Sequence, residues 1–345
     1  MRSYRFWIGI IVSLLFISIL FYRIDLGDIV DSLRNADYIY IIPAIFLYFV
    51  SVGFRTLRWQ LLLAHMKNIP LARLYPVVIV GYMANNLLPI RLGELVRSYY
   101  LGQREHISKS AGLATILVER VFDGLTLLFF LFLSSLALPF RSIVQGLAND
   151  AGVPTLTLVL AATVPFMVVL TLFLTVAYLP NWALRLTGCV VHMLPVRFGE
   201  AAMHLIERFV EGLQLLRYPK KLALVFVLSL PVWVMEAAMY YVIGHSFGIL
   251  DYFSSHWIMV IAILVTTAIA NLGTSIPSSP GGVGPFEFFS IATLVILGVG
   301  APVAAAYTVV LHAVLLIPVT LAGILHLWKQ NILLVKLISL HHSFG

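Results

Sequence analysis

Three groups of ionisable residues in this chain sit where hydrocarbon would ordinarily exclude them. Glu119-Arg120-Val-Phe-Asp123 lies inside an apolar run, with Glu119 and Asp123 one turn apart on a single helix face. Arg91, Glu94 and Arg97 follow Asn85 and Asn86, with Pro89 and Gly93 bracketing Arg91. Glu287 closes the run Pro277-Ser-Ser-Pro280-Gly281-Gly282-Val-Gly284-Pro285, and Asn271 precedes it. Ionisable groups at such depth are costly and face either a polar cavity or a partner. An arginine there offers a fork for phosphate, and a carboxylate offers an acceptor, a counter-charge or a proton site. The competing reading is a set of buried ion pairs, Asp123 or Glu119 with Arg58 or Arg91, that only fasten helices together.

The elements that position these groups follow from composition. At 345 residues, 61% hydrophobic and 11% charged, the chain is too apolar for an ordinary soluble protein. Apolar runs long enough to cross a bilayer fall at 5–22, 38–57, 111–139, 156–179, 222–247 and 303–328, giving six full crossings. Two further stretches, 76–101 and 257–299, are interrupted by the polar and Gly/Pro residues above, and each reads as a re-entrant or discontinuous helix pair. Backbone broken within a membrane must be buried in protein or line a cavity, because unpaired amides in lipid cost several kcal/mol each.

The expected fold is therefore an all-α polytopic membrane protein forming one domain over 1–345. Its order of span, span, break, span occurs in 5–139 and again in 156–328. Three crossings in the first copy invert the second, the arrangement of alternating-access transporters. Residues 55–73 carry four basic residues and no acid, and 180–221 carry six basic against three acidic. Those loops are expected in the cytoplasm together with both termini, as in a multi-pass protein of the cytoplasmic membrane. The loops at 23–37 and 248–256 fall outside. Arg55, Arg58 and Trp59 then read as interfacial anchors ending the second span, and Glu236 as a lone carboxyl. Within 180–221, residues 195–217 read as an amphipathic interfacial helix connecting the copies.

Several classes are disfavoured. One cysteine, Cys189, leaves no intramolecular disulfide, and the ten histidines show no metal-ligand spacing. No metal, cofactor or nucleic-acid partner is expected, the charge of +7 being read as topology and lipid contact. No Walker motif is present. Asp25, Asp28 and Asp31 fall in an outside loop, so a metal-pyrophosphate enzyme is not expected.

Arg58-Trp59, Asn85-Asn86-Leu-Leu-Pro-Ile-Arg91-Leu-Gly93-Glu94-Leu-Val-Arg97, Glu119-Arg120-Val-Phe-Asp123 and Pro277 to Gly284 followed by Glu287 together resemble the flippase-like membrane region of bacterial lysylphosphatidylglycerol synthases. The resemblance spans nearly the whole chain. It implies lipid translocation rather than synthesis, since no aminoacyl-transferase domain follows within these residues. It names no substrate.

The expected activity is a lipid flippase for an anionic phospholipid or a polyprenyl-phosphate-linked glycolipid. Its head group would contact Arg58, Asn85, Asn86, Arg91, Glu94, Arg97, Glu119, Arg120, Asp123, Asn271, Pro280, Gly281, Gly282, Gly284 and Glu287. The partner is a membrane lipid through its anionic head group or phosphate. A homo-oligomer and a lipid-modifying or glycosyl transferase partner are compatible with this reading. The alternatives are a secondary transporter of a soluble anion or metabolite and a non-transporting scaffold for a transferase.

Overall fold

The computed structural model describes residues 11–16, 18, 26–88, 92–136, 144–146, 148–149, 152–191, 196–276 and 278–330. Pro89, Arg91, Pro277, the flanks of the first expected span and the chain beyond 330 lie outside them. The described residues are helical and strand-free, and the chain is a multi-pass membrane protein.

The helices are α1 (Leu26–Arg34), α2 (Ile41–Leu63), α3 (Leu71–Leu87), α4 (Gly93–Glu105), α5 (Lys109–Ser134) and α6 (Thr155–Tyr178). They continue as α7 (Pro180–Val191), α8 (Val196–Gly212), α9 (Pro219–Ser246), α10 (His256–Gly273), α11 (Pro285–Ile296) and α12 (Ala301–Lys329). Among the described residues, α2 with its preceding turn, α6, α9, α10 and α12 are long and apolar enough to cross a membrane. The 26 residues of α5 are long enough too, but carry Glu119, Arg120 and Asp123 in their middle. Exposed apolar side chains such as Phe46, Phe132, Ile317 and Leu321 give the bundle the outer surface that lipid requires. Trp257 and Trp328, near opposite ends of α10 and α12, suit the aromatic belts at the two interfaces.

Local chemistry sets the helix ends. Ser108 and Ser255 accept from the third amide of α5 and α10, while Pro219 and Pro285 open α9 and α11 where no amide partner is needed. Both interruptions are present. The first separates α3 from α4, with Leu88 extended at φ −106°, ψ 143°. The second separates α10 from α11 and contains the short 3-10 turn Pro280–Gly282. With 18 residues α10 is long and apolar enough to cross a membrane, and the second break follows its end.

Three other elements differ from expectation. Residues 26–34, expected to be part of a loop, form α1, which packs on α12. The connector contains α7 as well, and α8 ends at Gly212 rather than 217. A Cβ on Gly212 would come within 2.4 Å of the Ala111 carbonyl, so α8 is seated on α5 as well as amphipathic.

Packing brings the two breaks together. α2 runs against α9, α3 against α12, and α10 against α5. A Cβ on Gly93 would lie 2.3 Å from the Gly81 carbonyl and 2.4 Å from the Asn85 amide, so glycine is what lets α4 close on α3. Gly93→Ala should lower stability by about 1–3 kcal/mol, the usual cost of overpacking. Gly53→Ala, with nothing within 4 Å of the added methyl, should not. Scanning fluorimetry of the two variants in detergent checks the contrast.

Candidate functional site

The charged residues form one chain of ion pairs running through four helices. Arg97 on α4 lies 2.8 Å from Glu119 on α5, which is 3.5 Å from Arg58 on α2. Arg58 is also 2.8 Å from Asp123, and Asp123 in turn is 3.4 Å from Arg120 and 3.6 Å from Arg55. Arg120 reaches Glu94 at 2.9 Å, and Arg55 reaches Glu236 on α9 at 2.5 Å. Four arginines meet four carboxylates, so these eight side chains carry no net charge. That balance is how so many ions are tolerated at membrane depth.

Neighbouring polar and aromatic groups complete the arrangement. Arg58 donates to Ser229, and the Trp233 indole donates to Asp123. The Arg97 guanidinium lies 3.7 Å from the Trp59 ring, and that of Arg55 lies 4.6 Å from Trp233.

Two sequence expectations are corrected here. Arg55, Arg58 and Trp59 are buried, at 5%, 1% and 0% exposure, and are not interfacial anchors. The apolar run stops near 57 but the helix continues to Leu63, which carries these residues inside the bundle. Glu236 is not lone, because Arg55 answers it across α2 and α9.

Beside the ion-pair chain, a cavity of about 250 Å³ opens between the breaks. The first break supplies Asn85, Asn86, Leu88 and Glu94, and the second supplies Asn271 together with residues 274–276, 278–279 and 281–282. Arg55, Arg120, Glu236, Tyr48, Tyr82 and Trp233 form the side that meets the charges. Arg58, Arg97, Glu119 and Asp123 lie behind that wall and do not line the cavity. Asn86 donates to the Leu316 carbonyl and to Thr320 on α12, and Asn271 donates to Tyr240 on α9. Both asparagines therefore tie neighbouring helices together as well as line the cavity. Among the described residues the Asn85 side-chain oxygen has no hydrogen-bond partner. Arg91 lies outside the described residues, between Leu88 and Glu94 in sequence.

The second break is shaped by its glycines. Gly281, Gly282 and Gly284 hold φ of +75°, +80° and +102°, a region closed to most side chains. Glu287 does not line the cavity. Its carboxylate accepts from the Gly284 amide at 2.7 Å, capping α11, and faces His312 Nδ1 at 2.5 Å. His312 Nε2 in turn lies 3.0 Å from the Gly281 carbonyl. The partner of Glu287 is thus a histidine of its own half. Ser13 adds a further clasp, donating to the Val283 carbonyl and accepting from the Ser279 amide.

Sequence reading missed His312 and Trp233, and it placed Arg55 outside the site. A histidine alone in a long apolar run carries the same signal as an intramembrane carboxylate, and Arg55 precedes Arg58 by three, on the same helix face.

Residues 6–323 match the family described as the lysylphosphatidylglycerol synthase TM region. The chain belongs to that family. It is 28% identical over 313 residues to a UPF0104 membrane protein of Methanothermobacter thermautotrophicus, covering 87% of this chain and 88% of the relative. It is 26% identical over 340 residues to the glycosyltransferase AglD of Haloferax volcanii. That match takes in 91% of this chain but only 52% of AglD, so the chain spans about half of that relative. A shorter match, 33% identical over 129 residues, links it to the UPF0104 membrane protein MJ1595 of Methanocaldococcus jannaschii, covering 35% of this chain and 37% of that one. No solved structure matches.

Proposed function

We propose that this family member moves a lipid-linked polar head group across the cytoplasmic membrane, with the cavity between the breaks receiving the head group while the tails stay in the bilayer. The observation that carries this reading is a polar cavity inside an apolar bundle, lined from both interruptions. The two halves, 5–139 and 156–328, act as inverted repeats. The pairing of α2 with α9, and of α3 with α12 alongside α10 with α5, supports an exchange of roles between them.

The described lining favours a glycosyl head group over a bare phosphate. Its charges come as Arg55 with Glu236 and Arg120 with Glu94, and neither pair leaves a free cation. Amide, hydroxyl and aromatic side chains make up much of the remainder, the groups that hydrogen-bond and stack against sugar rings. A relative named as a glycosyltransferase supports the same direction. In this reading Arg91 meets the lipid phosphate, and no chemistry is performed on the lipid.

The test is dithionite quenching of fluorescent lipids in vesicles containing the protein. A short-tailed glucosyl lipid should cross faster than a phosphatidylglycerol of the same tail. Asn85→Leu should slow it about tenfold, the worth of one hydrogen bond at its upper end. Equal, protein-independent crossing of both lipids defeats the reading. Saturable uptake of a soluble anion, indifferent to lipid composition, would establish the secondary-transporter alternative instead.

A further inference from the structure

We propose that His312 and Glu287 form a proton-binding site whose occupancy sets the position of the glycine loop lining the cavity. The argument rests on which atoms face each other. His312 is 5% exposed and sits between two acceptors, the Glu287 carboxylate at 2.5 Å from Nδ1 and the Gly281 carbonyl at 3.0 Å from Nε2. A carbonyl can only accept, so Nε2 must carry hydrogen for that contact to bind. The Nδ1 contact needs a second hydrogen, whether it resides on the imidazole or on the carboxyl. The other carboxylate oxygen is committed to the Gly284 amide at 2.7 Å and offers no alternative. With both contacts made, the pair holds one more proton than a neutral imidazole beside a carboxylate.

Removing that proton leaves a single hydrogen for two acceptors. If it stays on Nδ1, the Nε2 lone pair faces the Gly281 carbonyl. If it moves to Nε2, the Nδ1 lone pair faces a carboxylate at 2.5 Å, the worse of the two. The lower-energy outcome therefore releases Gly281. That residue and Gly282 line the cavity, at φ of +75° and +80°, as does His312 itself. The proton passes between the Nδ1–Oε1 contact and water in the cavity.

Phe286 packs over the imidazole at 4.3 Å between ring centroids and restricts its movement. The other titratable side chains on the cavity are Arg55, Glu94, Arg120 and Glu236, with Tyr48 and Tyr82. The first four are held in ion pairs with each other. Loop release by deprotonation would couple head-group passage to a proton, which gives the proposed transport an energy source. This step rests on the cavity being the head-group path.

The test follows the loop without any substrate. A nitroxide is placed at Ser275→Cys, an exposed position at the start of the break, in a Cys189→Ser background and in nanodiscs. Label mobility, read by paramagnetic resonance from pH 5 to 9, should rise with pH in one single-proton step. Glu287→Gln should abolish that step and leave the label immobile throughout. Its amide can donate to Nδ1 and its carbonyl can accept from Gly284, reproducing the protonated pair with no proton to lose. His312→Gln should also remove the step. A flat response in the otherwise unaltered labelled protein, or a Glu287→Gln variant that still titrates, overturns the proposal. An intact step in the labelled protein, with neither lipid moved by the unlabelled protein, overturns the transport reading and leaves the proton site standing. Lipid movement with a flat step does the reverse.

Discussion

Arg55→Met should destabilise the protein by about 3–5 kcal/mol, the cost of stranding one member of a buried ion pair. Glu236 is 3% exposed, and Arg55 is its ion-pair partner among the described residues, so the single change leaves a carboxylate without a counter-charge. Asp123 also loses a contact, but the one at 3.6 Å, and keeps Arg58 at 2.8 Å and the Trp233 indole. Adding Glu236→Leu should then recover most of the loss, because the second change removes the uncompensated charge instead of adding a new defect. Scanning fluorimetry of both single variants and the double closes the cycle. A double variant as unstable as the sum of the singles would show that the pair is not an independent unit of the chain.

The same cycle separates folding from transport. Arg55 and Glu236 both line the cavity, whereas Arg58, Arg97 and Glu119 stand behind it. The recovered double variant should be folded yet have an altered cavity wall. Its lipid movement therefore reports what the lining contributes, with stability held nearly constant.

The membrane class and the two interruptions were legible because they depend on composition and on residues with singular backbone behaviour. Lysines and arginines are absent between Lys221 and Lys329, and the prolines and glycines from Pro277 to Pro285 disfavour a continuous helix there. The bond between Arg58 and Asp123 was among the weighed pairings, since two opposite charges in apolar surroundings have few other partners. What could not be read was which charges face inward and which face the cavity. That depends on where helices cross, and hydropathy ends α2 a turn or more before the structure does. Arg55 and Trp59 were misplaced for that reason. Glu287 was recognised as exceptional, but its histidine partner was not found, because histidines were weighed only as metal ligands. His312 instead faces the Glu287 carboxylate and the Gly281 carbonyl.

Gly284→Ala should be the most damaging single change in the second break, and Gly282→Ala the mild comparison that explains why. Both glycines have positive φ, so each substitution incurs strain of about 1–3 kcal/mol. Space distinguishes them. A methyl at position 282 would meet Thr274 at 3.4 Å, ordinary contact with the end of a side chain. At position 284 it would meet the Ser13 Cα at 2.8 Å and the Ser13 carbonyl at 3.0 Å, both of them backbone. Backbone cannot turn aside as a side chain can, so the helical residues carrying Ser13 must retreat. Retreat breaks the two hydrogen bonds by which Ser13 holds Val283 and Ser279, and displaces the amide that Glu287 caps. The predicted consequence in the loop-label experiment is a Gly284→Ala protein whose label is mobile at every pH, with lipid movement lost. Gly282→Ala should keep the pH step with reduced thermal stability. Equal behaviour of the two variants would mean that strain alone matters, and that the contact with Ser13 does not hold the loop.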